Sequence, residues 1–328
     1  MHMSDALMSP AVGGVMWGAA VLGIAYSSSK LKKDLNTEKV PLMGALGAFV
    51  FAAQMINFSI PATGSSGHIG GALLLAILLG PYAAFLVLVS ILIVQALFFA
   101  DGGILALGAN IFNMGFYACF IAYPLIYRPL TGGSPGKVRV LAGSILASVT
   151  GLCCGALSVV IQTTLSGISS LPFLPFAAMM LPIHLAIGIV EGLITGIVVV
   201  IISRSQTTPE LVQIATDSKT RSVRRRAVLG LLAAALIIGG LLSWFASSHP
   251  DGLEWSVAAV AGDDAPAETS SHAQEVLSFL PDYGFRKTDG GNTATTVAGL
   301  AGGGITLTIV VLLGLLLKRR AKKTCDDD

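Results

Sequence analysis

The apolar run at residues 69–99, IGGALLLAILLGPYAAFLVLVSILIVQALFF, decides the fold. It carries no charge and is longer than the roughly 20 residues one helix needs to cross a bilayer core. Gly80-Pro81 interrupts it, and a proline inside such a run ends one helix or opens another. The run therefore reads as two segments, a short third helix and a fourth. Every later loop takes its side of the membrane from that split. Working outward, the other apolar spans are Val12–Ser29, Pro41–Phe58, Ile104–Tyr127, Val140–Thr164, Pro172–Ile202, Ala227–Ser247 and Val297–Leu317, which makes nine.

Charge supports the count. Lys and Arg stay on the cytoplasmic side of a membrane protein. With nine spans and the amino terminus outside, the inner segments are 30–40, 80–82, 128–139, 203–226 and 318–328. They hold 18 of the 20 Lys and Arg, all but Arg286 and Lys287. No Lys or Arg precedes the first run, so it lacks the basic region of a signal peptide. The chain of 328 residues is 54% hydrophobic and 12% charged, with a mean hydropathy of +0.79. A soluble protein carries about twice that charge fraction. The expected fold is all-α: a polytopic protein of a bacterial or archaeal cell membrane, with a seven-helix bundle, two further helices, the amino terminus outside and the carboxyl terminus cytoplasmic. Cys119, Cys153 and Cys154 lie in apolar segments and read as packing residues.

A seam divides the chain. The polar, basic stretch 204–226 separates a seven-span block, 1–203, from a two-span block, 227–328, whose outer loop 248–296 is rich in Asp, Glu, Ala and Ser.

Candidate chemistry begins at the first two residues. A free Met1 amine, the His2 amide nitrogen and the His2 imidazole can close fused chelate rings on one divalent metal, and imidazole favours Ni, Cu and Zn over Mg or Ca. His68 lies in the Gly- and Ser-rich outer turn Ala62-Thr-Gly-Ser-Ser-Gly-His-Ile-Gly-Gly71, on the same face as the amino terminus. It could supply a fourth nitrogen, or be a loop histidine bonded to backbone. A planar four-nitrogen set suits Ni(II) or Cu(II) and can accommodate Co(II). Asn57 and Ser59 end the second span and could orient His68. Asp5 and Ser65 flank the candidate ligands and are further supporting or structural candidates. Asn110 and Asn113 share one face of the fifth span. His184 and Glu191, seven residues apart in the seventh, are expensive at membrane depth and thus functional candidates or a helix-pinning pair, expected too deep for the outer site. Asp251 and Glu254 belong to an acidic loop that reads as solvated. There is no HExxH, GxSxG or phosphate-binding loop, so the chain is not expected to be an enzyme or to hydrolyse ATP.

Four stretches together resemble one family. Met1-His-Met-Ser-Asp-Ala-Leu-Met-Ser-Pro10, Gly67-His-Ile-Gly-Gly71, Gly108-Ala-Asn-Ile-Phe-Asn-Met-Gly115 and His184-Leu-Ala-Ile-Gly-Ile-Val-Glu-Gly192 are similar to the CbiM/NikM family, the substrate-capture (S) components of energy-coupling-factor transporters for cobalt and nickel. The tail carrying Pro250-Asp-Gly-Leu-Glu254 looks like the two-span N component of the same systems. The resemblance implies metal ligation by Met1, His2 and His68, with Ni(II) or Co(II) as transported substrate and no bound organic cofactor. It also implies a transmembrane coupling (T) component and two cytoplasmic ATPase subunits as partners, with membrane lipid around the chain and no nucleic acid. Many members begin Met-His-Ile-Pro-Asp-Gly; here Met3, Ser4 and Ala6 depart from that start while Asp5 remains. Two rival functions remain at this point, a partner-independent metal carrier or channel and an intramembrane enzyme built on His184 and Glu191.

Overall fold

The computed structural model describes residues 1–35, 39–133, 136–204, 218–266, 271–286 and 290–326. Most of the basic linker, residues 205–217, and Lys287 lie outside the described residues.

Helix α1 is Pro10–Asp34; Ser9 caps it by accepting the Val12 amide, and Pro10 sits in its first turn, where a missing N–H costs nothing. Helix α2 is Lys39–Gln54. A two-residue hairpin, β1 (Phe58–Ser59) and β2 (Ser66–Gly67), pairs Phe58 with Gly67 and Ser59 with Ser66. The break at Gly80-Pro81 is present: α3 is Ala72–Leu79, Gly80 has φ 80°, and Pro81 opens α4, Pro81–Phe98. At eight residues α3 is about 12 Å long, well short of the hydrocarbon thickness. The short third helix expected from the sequence is thus about half the length of α4. Gly71 takes φ +74° as its N-cap, so the helix starts only at Ala72, and Val50 crowds the space where a side chain would sit.

Helix α5, Leu107–Thr131, is wound as a π-helix from Phe112 to Tyr127 and contains Pro124. Helices α6 (Lys137–Ser166) and α7 (Phe173–Arg204) form the closest pair. Gly188, Gly192 and Gly196 of α7 lie against Val149, Ile145 and Leu141 of α6, so the two backbones approach directly. The outward faces of this pair expose Leu146, Leu157, Ile161, Ile189, Leu193 and Ile197, as suits lipid contact. Six helices are long and apolar enough to cross a membrane among the described residues: Pro10–Lys32, Pro81–Phe98, Leu107–Thr131, Lys137–Ser166, Phe173–Ile202 and Gly291–Arg320.

The carboxyl-terminal part comprises α8 (Ser218–Gly240), α9 (Gly252–Ala261), α10 (His272–Leu277) and α11 (Gly291–Asp326). Gly299 of α11 meets the backbone of Gly239 in α8, and Gly302 meets Phe51 in α2, so these glycines pack within the chain. The acidic loop is more than a solvated strand. Asp251 and Glu254 form a capping box on α9, and Leu253 and Leu280 enter the core. Gln274 of α10 donates to the carbonyls of Ala96 and Gly102.

Candidate metal centre

The amino terminus is folded into the protein. Met1, Met3, Leu7 and Met8 are buried. Asn110 grips the Met3 backbone twice: its Oδ1 accepts the Met3 amide at 2.8 Å and its Nδ2 donates to the Met3 carbonyl at 3.1 Å. Gly103 also donates to that carbonyl, at 2.9 Å, and Asp5 accepts the Ala106 amide at 3.0 Å. Asn113 and Gln162 exchange a reciprocal pair of amide bonds at 2.7 and 2.9 Å, and Asn113 touches the Met3 sulfur. The face shared by Asn110 and Asn113 thus holds the terminus in place. A bidentate amide is the side chain for this, because it satisfies a donor and an acceptor of one residue at once.

That anchoring sets His2 beside His68. Their rings stack with centroids 5.4 Å apart and planes inclined by 16°. His2 Nε2 meets Gln95 Oε1 at 3.1 Å, and Nδ1 meets Asp101 Oδ1 at 3.2 Å. His68 Nδ1 donates to the Ile69 carbonyl at 3.1 Å, which leaves its Nε2 as the nitrogen with an available lone pair. Burial pulls both imidazoles below the ordinary histidine range, His68 to about 3 with the Met1 ammonium adding to the effect. Neutral rings are what a metal requires.

The Met1 ammonium donates to Asp251 Oδ2 at 2.7 Å. Burial acts to raise the Asp251 carboxyl, yet the ammonium and the α9 backbone bonds hold it well below the usual carboxylate range. A small cavity, of the size that holds about one water, is lined by Met1, His68, Met114, His184 and Asp251 among others. His184 therefore belongs to the wall of this cavity, which corrects the expectation that it lies too deep. Its Nδ1 donates to the Met180 carbonyl at 2.7 Å. Glu191 has a different task. Its two carboxylate oxygens accept the Gly70 and Gly71 amides at 2.7 and 3.0 Å, fixing the turn that carries His68.

The expectation that Asn57 and Ser59 orient His68 is also corrected. The Asn57 carbonyl accepts the Ser247 amide and Ser59 Oγ donates to Ser247 Oγ, because the hairpin turns these residues toward the loop after α8. Ser65 is buried within the turn; its carbonyl accepts the Ile60 amide and its hydroxyl donates to the Ser66 carbonyl. Sequence reasoning passed over Gln54, Gln95, Asp101 and Tyr283, and set Asp251 aside. A glutamine inside an apolar span, as at 54 and 95, was the signal available. Among the described residues no group of three or more His, Cys, Asp or Glu side chains is gathered for a metal.

Comparison with known proteins follows that geometry. Residues 2–209 match the CbiM model, described as the cobalt uptake substrate-specific transmembrane region, and residues 225–319 match the PDGLE domain. The chain is 30% identical over 324 residues to a putative fused nickel transport protein NikMN of Archaeoglobus fulgidus, covering 98% of this chain and 99% of that one. It is 36% identical over 162 residues to the fused nickel transport protein NikMN of Rhodobacter capsulatus, covering 49% of this chain and 46% of that one. A crystal structure of a transition metal transporter superposes with a TM-score of 0.55 at 35% identity, covering 69% of this chain and 99% of that chain. The chain belongs to the CbiM family and carries a PDGLE domain fused behind it.

Proposed function

We propose that this chain captures Ni(II) or Co(II), as the transported substrate, on four nitrogens: the Met1 amine, the His2 amide nitrogen, His2 Nδ1 and His68 Nε2. Family membership makes it a membrane component of a transition-metal uptake transporter. The observation that carries the finer reading is the buried amino terminus, which brings the Met1 amine and the His2 ring beside a stacked His68. The amine and the amide close a five-membered ring on a metal; the amide and Nδ1 close a six-membered one. Four nitrogens in a plane suit Ni(II) slightly better than Co(II). Capture means that the ammonium gives up a proton and its bond to Asp251, and that the His2 amide nitrogen gives up its proton as well.

The remaining parts of the proposal are an outer amino terminus, a cytoplasmic carboxyl terminus, a seven-span unit over residues 1–203, a linker over 204–226 and a two-span unit over 227–328. A separate transmembrane coupler and two cytoplasmic ATPases drive delivery inward. The enzyme reading has little behind it at Glu191, whose carboxylate oxygens accept two backbone amides and so serve the turn that carries His68. Titrating the purified chain with Ni(II) tests the site. His2→Ala and His68→Ala each lose binding by orders of magnitude while the fold survives. Wild-type affinity in either variant contradicts the four-nitrogen set.

A further inference from the structure

A buried chain of amides connects the two histidines. His2 Nε2 meets Gln95 Oε1 at 3.1 Å, Gln95 Nε2 donates to Gln54 Oε1 at 2.7 Å, and Gln54 Nε2 donates to the Gly70 carbonyl at 2.7 Å. Gln54 and Gln95 are 5% and 1% exposed, so water does not compete for these groups. The last acceptor fixes the direction of the chain. A backbone carbonyl can only accept. The Gln54 NH2 therefore faces Gly70, its oxygen faces Gln95, the Gln95 NH2 faces Gln54, and the Gln95 oxygen faces His2. An amide oxygen also only accepts, so His2 Nε2 carries the hydrogen. Amide orientation is often ambiguous, but here reversing either glutamine places oxygen against oxygen or NH2 against NH2 in a dry interior.

We infer that Gln95 and Gln54 are positioning residues that hold His2 with a hydrogen on Nε2, so that Nδ1 is the ring nitrogen presented to the incoming metal. This rests on the reading of Met1, His2 and His68 as the capture site. Nδ1 is the ring nitrogen that can close a six-membered chelate ring with the His2 amide; Nε2 points away from the backbone. The chain ends two residues beyond His68, on the turn that Glu191 secures, so one set of bonds registers both imidazoles. Nδ1 faces Asp101 Oδ1 at 3.2 Å, a contact that a hydrogen on Nδ1 bridges, and Asp101 is held there by the Tyr283 hydroxyl at 2.6 Å on its other oxygen. On capture the metal takes the place of any such hydrogen, which leaves as a proton. The competing arrangement, a ring with hydrogen on Nδ1 and none on Nε2, requires the Gln95 amide to turn over and sets its oxygen against that of Gln54.

Histidine-15N-labelled full chain, metal-free and in detergent, tests this by NMR, with the His2 signals identified by their loss in His2→Ala. The expected result is a protonated Nε2, and Ni(II) then shifts Nδ1 while Nε2 keeps its hydrogen. Gln95→Leu should give mixed tautomers and weaken Ni(II) binding by about 10- to 100-fold, the usual effect of losing a partner that orients a ligand. Gln54→Leu should act in the same direction and less strongly. An Nε2 without hydrogen in the wild type, or a Gln95→Leu protein with wild-type tautomer and affinity, overturns the inference. Should the leucine variants fail to fold, the wild-type spectrum alone decides. Undiminished binding in His2→Ala would instead remove the capture site itself, which separates the two failures.

Discussion

Two polar segments line the same cavity, and they are held differently. The amino-terminal strap, residues 1–9, is fixed by Asn110, Gly103, the Ala106 amide and Gln95. The loop between α8 and α11 is fixed by its own capping box and by Gln274, and reaches the candidate ligands through a single side chain, Asp251 on the Met1 ammonium. Tyr283 adds an indirect contact through Asp101. Bonds to the strap position donor atoms; the bond from the loop occupies one. The difference teaches that a strap bond, once lost, moves a ligand, whereas the loss of the loop bond only changes the field around it.

The sharpest way to break that comparison is Asn110→Ala. It leaves the Met3 N–H with no partner in a dry interior, a cost of about 1–3 kcal/mol, and lets His2 drift from His68. The expected outcome is a lower melting temperature and metal binding weakened by about 10- to 100-fold, comparable to the loss of a ligand-orienting partner. Isothermal titration beside a thermal melt checks both. Unchanged affinity with a lowered melting temperature would make Asn110 a fold residue alone.

Asp251→Asn probes the loop. The carboxylate favours both the ammonium that must be released and the metal that replaces it. The metal brings two charges, but the released amide proton leaves a negative nitrogen beside it, so the net charge facing Asp251 stays near one and what capture loses is the ammonium bond itself. The asparagine form is expected to bind about three- to tenfold more tightly, the size of one partly exposed charge pair. Weaker binding in the variant would show instead that Asp251 draws the metal in.

These assignments were unequally legible in the sequence. The long helices follow from apolar runs, and the break before α4 from Pro81. That α3 is short was also legible; its first residue was not, because Ile69 to Leu79 is apolar throughout and only the positive φ of Gly71 delays the helix. Met1, His2 and His68 stood out by residue type and position. Gln54 and Gln95 lie 41 residues apart, and no periodicity relates them. Asp251 is separated from its Met1 partner by 250 residues, and an acidic loop gives no sign of which carboxylate will be turned inward.

The smallest effect is expected at His249. Its side chain is exposed, and the loop uses only its backbone: the carbonyl accepts from Ser66 Oγ and the amide donates to Ser247 Oγ. His249→Ala should change metal affinity by less than about twofold, within the range of surface substitutions away from special features. A loss as large as that of His68→Ala would place His249 itself in the capture site.

The central claim is that the Met1 amine is a ligand, and one added residue tests it. Placing a single alanine before Met1 turns that amine into an amide and moves the new terminus away from His2; a tag beyond Asp328 leaves it untouched. The metal content of both proteins, purified from cells supplied with Ni(II) and Co(II), is the measurement. The account predicts about one metal per chain in the carboxyl-terminally tagged protein and essentially none in the extended one. Equal metal in the two would contradict it.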